Sequence, residues 1–176
     1  KVAPGGRYLV DQNNNPFLII GDSPHNLFTM YTTAEASLYL RNRATNGVNT
    51  IWVESFTGDY TLATSDGSNK NGDKPFSGTL AGGLFDLTAP NEPYWAHCDL
   101  IVTMTATNGM QVLFDTLETG QYTTTALANG TNRCRQYGQF LGNRYKDFTN
   151  IFWITGNDFT TWETATNDAV VSAIAL

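Results

Sequence analysis

The chain has 176 residues, about one domain's length and enough to bury a sizeable core. With 10 Lys+Arg against 16 Asp+Glu its net charge is −6, which argues against the basic patch that a nucleic-acid or anionic-membrane partner requires. Only 15% of residues are charged while Asn, Thr and Gly are abundant, and no apolar stretch approaches the roughly 20 residues of a membrane span. That polar, uncharged balance predicts a secreted or periplasmic protein, with Lys1 read as a mature start left after removal of a leader.

Residues 7–10 and 16–20 are short apolar runs around Asp11-Gln12-Asn13-Asn14-Asn15, which predicts a hairpin over residues 1–20 turned by Asn and Asp. Its second arm runs on to Gly21-Asp22-Ser23-Pro24, a strand exit followed by a loop. Thr32-Thr33-Ala34-Glu35 has capping-box spacing and predicts a helix from there to Asn46, closed by Gly47. Residues 48–54 predict a strand centred on Ile51, Trp52 and Val53. The loop-like stretch 55–90 is too long for a mere connection and is expected to be functional.

Asn91-Glu92-Pro93 opens a second helix, with Pro93 in the first turn and Cys98, Ile101, Val102 and Thr105 as its buried stripe. Gly109 ends it. Residues 110–114 predict a third strand that leaves through Asp115 and Glu118. A third helix is expected over about 132–146, with Cys134, Tyr137, Leu141 and Tyr145 on one face. Residues 150–154 are apolar enough for a strand buried on both faces, and 163–176 predict the start of a fourth helix. Strands alternating with helices give a parallel sheet with right-handed crossovers. The order is a hairpin followed by four βα units, half of an eight-stranded (β/α)8 barrel. Half a barrel leaves two open sheet edges, so the chain reads as the truncated N-terminal half of a catalytic domain, spanning 1–176.

In barrels of this kind active sites lie at the carboxyl ends of the strands. Those ends carry Asp22, Glu54, Asp115 with Glu118, and the pair Asn157-Asp158 after the run N-I-F-W-I-T-G. Cleavage of a glycosidic bond needs two carboxyl groups, one to protonate the leaving oxygen and one to attack or to activate water. Each acid taken alone reads equally well as a helix cap or loop ion-pair partner, and Asn157-Asp158 as an Asx turn. Aromatic rings near the exits suit sugar faces: Trp52, Phe56, Tyr60, Tyr122 and Trp162 are candidates. Of these Tyr60 and Trp162, in loops, are the stronger, whereas Trp52 and Trp153 lie within strands and are read as filling between barrel and helices. His25, in a strand-exit loop, is a candidate ligand contact; His97, in a helix's first turn, is read as packing.

Cys98 and Cys134 fit no zinc spacing, so no metal site is expected, and their pairing in a disulfide stays open. The sequon Asn129-Gly130-Thr131 would be glycosylated only in a eukaryotic secretory pathway. No Ser-His-Asp order, phosphate loop or cofactor fingerprint is present, and no cofactor is expected.

Four segments together resemble the apiosidase-like glycoside hydrolases, a family of (β/α)8 barrels acting on plant or microbial polysaccharide. They are R-Y-L-V-D-Q-N-N-N-P-F-L-I-I-G-D-S-P (7–24), Y-L-R-N-R-A-T-N-G-V-N-T-I-W-V (39–53), P-Y-W-A-H-C-D-L-I-V (93–102) and Y-G-Q-F-L-G-N-R-Y-K-D-F-T-N-I-F-W-I-T-G-N-D (137–158). The resemblance runs through nearly the whole chain in one order. It implies that Asp158 is the acid/base carboxylate with Asn157 beside it, that Asp22 lies on the pocket floor, and that the nucleophile is a Glu on a later strand beyond Leu176. His25 departs from the family, where an aromatic residue, often Trp, is common.

The reading that follows is a secreted glycoside hydrolase with Asp158 catalytic and Asp22, His25, Glu54, Tyr60, Asp115, Glu118, Asn157 and Trp162 binding substrate. Its partner is a carbohydrate, and the isolated segment is expected to be inactive. The alternative is a non-catalytic carbohydrate-binding or structural protein of the same fold, self-associating through its open sheet edges.

Overall fold

The hairpin forms first in the chain: β1 (Leu9–Val10) pairs antiparallel with β2 (Pro16–Phe17). Its turn is shaped by Asp11, whose Oδ1 accepts the backbone N–H groups of Asn13 and Asn15, both at 2.8 Å. Asn14 takes a left-handed φ of 67°, a conformation that Asn tolerates. The computed structural model describes residues 1–58, 61, 64, 66–157, 170 and 172–175.

A parallel sheet follows, in the order β3 (Gly21–Asp22), β4 (Thr50–Glu54), β5 (Gln111–Asp115), β6 (Ile151–Ile154). Asn49 locks the arm before β3 to β4 by imitating a strand pairing: its Oδ1 accepts from Ile20 N at 2.9 Å and its Nδ2 donates to Leu18 O at 2.7 Å. Between β3 and β4 lie a short helix α1 (Leu27–Met30) and α2 (Thr33–Thr45). The capping box forms as its spacing predicts, with Thr32 and Glu35 each satisfying the other's backbone N–H. Helix α3 (Glu92–Thr107) joins β4 to β5 through the long loop, and α4 (Thr119–Tyr145) joins β5 to β6.

Side chains on a strand alternate between faces, so the register sorts the sheet into two surfaces. Ile51, Val53, Val112 and Phe114 point to the helices and are at most 1% exposed. Phe114 meets Phe28 and Tyr145 with ring centroids 5.4 and 5.2 Å apart. Thr50, Trp52 and Glu54 face the other way, in register with Gln111, Leu113 and Asp115. This second surface is the one a closed barrel turns inward.

Several expectations change here. The span Thr119–Tyr145 is two helical stretches meeting at a kink at Gly130 (φ 65°, ψ 173°, not helical), so the helix expected over about 132–146 is the second stretch and the first, from Thr119, was not expected. Asn129, the sequon residue, is the clamp of that kink. Buried, it accepts from Leu87 N at 3.0 Å and donates to Phe85 O and Thr125 O at 2.8 Å, which leaves no room for a glycan. Strand β6 is not buried on both faces: Trp153 is 45% exposed and its neighbours are half-buried, because β6 pairs only with β5 among the described residues. Cys98 and Cys134 are separate buried thiols, and burial pushes both pKa values up. Of the fourth helix expected over 163–176, all but residues 170 and 172–175, the latter holding a 3-10 turn at Ala173–Ala175, lies outside the described residues.

The long loop is a packed structure. Phe56, Phe76 and Leu87 are buried, and Phe56 stacks edge-on against Phe76, Phe85 and Tyr122. Tyr and Trp side chains of α3 and α4 fasten its backbone: Tyr94 OH donates to Ser55 O, Trp95 Nε1 to Pro75 O, and Tyr122 OH to Thr57 O. Arg133 of α4 pairs with Asp86 at 2.6 Å.

Candidate active site

The carboxyl ends of β4 and β5 bring two expected acids side by side, Glu54 opposite Asp115 in the register. Both are fully buried on the inner surface. Glu54 Oε1 lies 3.2 Å from His25 Nδ1, and His25, one-quarter exposed, rests against Trp52 with ring centroids 4.7 Å apart. The loop after β3 is seated on β4 by a backbone bond from Glu54 N to His25 O at 3.0 Å, which holds the imidazole over the strand exit. The site is therefore a layered one: buried carboxylates beneath, a partly exposed imidazole and an indole above.

Asp115 Oδ1 accepts from Leu117 N at 3.2 Å and from Gly156 N at 3.1 Å. Burial pushes its pKa up to about 7, with the charge of Glu118 adding to the rise. The two backbone N–H groups and the nearby Trp52 indole pull the other way without offsetting it. A carboxyl group that still holds a proton near neutrality results. In the described structure Glu54 supports His25, and Asp115 ties two strand exits together.

Glu118 is held at the start of α4. Its two oxygens accept from Gly120 N and Gln121 N, both at 2.6 Å, so it is the N-cap of α4, where a carboxylate also suits the helix dipole. Asn157 Oδ1 accepts from Thr119 N at 3.2 Å and binds the exit of β6 to the first turn of the same helix.

Asp22 pairs with Ile51 across β3 and β4 and so shares the helix-facing surface. It accepts from Tyr39 OH at 2.7 Å and forms an ion pair with Arg43 at 2.6 Å, both on α2. The Tyr39 hydroxyl, with Ser23 N–H and Arg43, holds its pKa below the usual carboxylate value. The register thus turns this carboxylate to α2 and away from the expected pocket floor. Asp158, Tyr60 and Trp162 lie outside the described residues.

Phe56 and Tyr122 belong to the aromatic packing under the long loop and offer no face to a sugar. His97 is a packing residue, bonded to Tyr31 O at 3.1 Å with its pKa lowered by burial. Trp153 fills space on the helix side against Phe114 and Tyr145. Trp52 does not, and its parity with Glu54, two residues on, was the signal that both face inward. Among the described residues no group of three or more His, Cys, Asp or Glu could hold a metal ion, and no helix is long and apolar enough to cross a membrane. A cavity of about 330 Å³ lies on the helix side between α4, Trp153 and Ile174, and one of about 530 Å³ lies between the hairpin and the amino ends of β5 and β6. Neither is lined by the exit acids.

Comparison with known proteins fits this architecture. A structure described as a glycoside hydrolase superposes with a TM-score of 0.79 at 24% identity, over 99% of this chain and 36% of its own length. A family 5 glycoside hydrolase from Bacteroides vulgatus gives 0.80 at 24% identity, over 99% of this chain and 35% of its own. The chain thus spans little more than a third of these structures, and its four parallel strands form part of a (β/α)8 barrel. No curated protein matches it. The sequence profile of the apiosidase-like catalytic domain matches residues 3–176, so the chain belongs to the apiosidase-like catalytic-domain family.

Proposed function

We propose that the protein is an exported glycoside hydrolase acting on plant or microbial polysaccharide, with Asp158 as its general acid and the second carboxylate supplied from outside residues 1–176. The observation that carries this reading is the pairing of Glu54 with Asp115 on the inner surface at the strand exits, with the exit of β6 bonded to Asp115 through Gly156 N. Asp158 follows that fastened turn by two residues. Family membership and the barrel-like sheet support the same reaction class. His25, backed by a buried carboxylate, is suited to donate a hydrogen bond to a sugar hydroxyl, and Asn157 and the loop aromatics Tyr60 and Trp162 complete the proposed binding surface. The low share of charged residues supports export. By itself the 176-residue chain lacks the second carboxylate and is inactive on this reading.

The test is Asp158→Asn in the native protein. Turnover of glycosides with poor leaving groups should fall by about 10²–10⁴-fold, the usual contribution of general acid catalysis. Glycosides with an activated aryl leaving group need little protonation and should lose far less. Equal losses on both, at unchanged thermal stability, or full activity on both, would remove Asp158 from this role. A non-catalytic sugar-binding or assembly protein is the second reading. It draws on the apolar residues exposed at the sheet margins, Leu18 at 74% and Trp153 at 45%. Absence of hydrolysis of any glycoside by the native protein would favour it.

A further inference from the structure

Asp115 has features that a substrate-binding acid does not need. It is fully buried at the end of β5, and one oxygen, Oδ1, accepts two backbone N–H groups from different segments, Leu117 and Gly156. The other, Oδ2, is buried and has no hydrogen-bond partner among the described residues. The groups around it are Glu54 across the register, Glu118 at the N-cap of α4, the Tyr137 hydroxyl bonded to Ser55 Oγ and Thr116 O, and the Trp52 indole. His25 is paired with Glu54. An ionised Asp115 would therefore bury a negative charge near Glu118 and beside Glu54 in the register, with no cation against it among the described residues, an unfavourable state. A protonated one would keep Oδ1 as the acceptor for both N–H groups and carry no charge.

We infer that Asp115 is a positioning residue: its protonated carboxyl staples the turn at Gly156 to the exit of β5, and so sets where Asn157 leaves the sheet. This rests on the reading of Asp158 as the acid. Thr116 N donates to Ile154 O at 3.0 Å and Thr119 N to Asn157 Oδ1 at 3.2 Å, so among the described residues three bonds connect the exit of β5 to that of β6, and the Asp115 bond is the central one. Loss of the proton sets Asp115 against Glu54 and Glu118 and loosens the staple. The rise of its pKa to about 7 places that loss near neutrality. Turnover then has an alkaline limb that belongs to Asp115 rather than to Asp158.

Asp115→Asn and Asp115→Ala separate this role from a general structural one. Asn keeps an acceptor for both N–H groups and is neutral at every pH; Ala removes the acceptor. Turnover of Asp115→Asn should exceed that of Asp115→Ala by at least about ten-fold, the effect of a buried charge-free hydrogen bond pair. Its alkaline limb near pH 7 should be abolished or moved upward. Equal turnover of the two variants, or an alkaline limb unchanged in Asp115→Asn, would overturn the inference. Two readouts need no catalysis and stand if the Asp158 reading fails. Exchange protection of the Gly156 amide should survive in Asn and be lost in Ala. The advantage in Tm of Asp115→Asn over the native protein should widen from about pH 4 to pH 7 and then level off, since the native state binds a proton that the unfolded chain has released. A gap independent of pH, or Gly156 protection lost in both variants, would show that Asp115 holds neither the proton nor the turn.

Discussion

On the helix side of β4 and β5, Ile51, Val53, Val112 and Phe114 are buried and apolar; on the opposite side of the same strands Glu54 and Asp115 are buried as completely and are acids. Equal burial has opposite consequences. A methyl or ring removed from water stabilises, at roughly 25 cal/mol per Å² of apolar surface. A carboxylate removed from water costs free energy unless a partner offsets it, and here the offsets differ between the two acids. Glu54 has an imidazole at 3.2 Å, whereas Asp115 has two backbone N–H groups and a pKa raised to about 7. The helix side is built for stability. The inner side carries a standing cost, which is the kind of arrangement that persists where function requires it.

Substitutions on the two surfaces should therefore fail in different ways. The largest loss of stability is expected from Phe114→Ala, which empties a contact among Phe28, Tyr145 and Trp153. It should cost about 3–5 kcal/mol in chemical denaturation, while the fraction still folded should turn over substrate nearly normally. A smaller effect is expected from Glu118→Ala, which uncaps α4 and leaves Gly120 and Gln121 N–H without their acceptor. The loss should be about 1–2 kcal/mol. The same change removes a negative charge that helps raise the Asp115 pKa, so the alkaline limb of turnover should move to lower pH. A limb that stays in place would separate Glu118 from the Asp115 equilibrium.

Much of the fold could be read from local chemistry. Thr32 and Glu35 announce the start of α2, Gly47 and Gly109 allow the left-handed residues that end α2 and α3, and Pro93 sits where a helix tolerates it. Elements without such signals were misplaced. The stretch of α4 before the Gly130 kink is rich in Thr and opens on Glu118, an unusual cap, so it carried no helix signal. The exit acids were legible as a set, because each follows an apolar run. Their directions were not: a carboxylate one residue along a strand faces the other surface, and only the register shows that Asp22 shares the side of Ile51. Trp52 is the converse case: it was read as filling toward the helices, although its spacing of two from Glu54 already put both on one side. The long loop combined both failings. Its polar composition hid the three residues, Phe56, Phe76 and Leu87, that make it part of the core.

The division of labour between the two surfaces is tested most directly at Glu54, by measuring turnover and thermal stability of Glu54→Gln together at pH 7. Gln keeps the shape and an acceptor for His25 but removes the charge that orients and supports the imidazole. Turnover should fall by about ten-fold or more, the effect of losing a charge-assisted hydrogen bond, with Tm unchanged or slightly raised. A marked fall in Tm with normal turnover of the folded protein would contradict the account, because it would make the inner surface a second core rather than the floor of an active site.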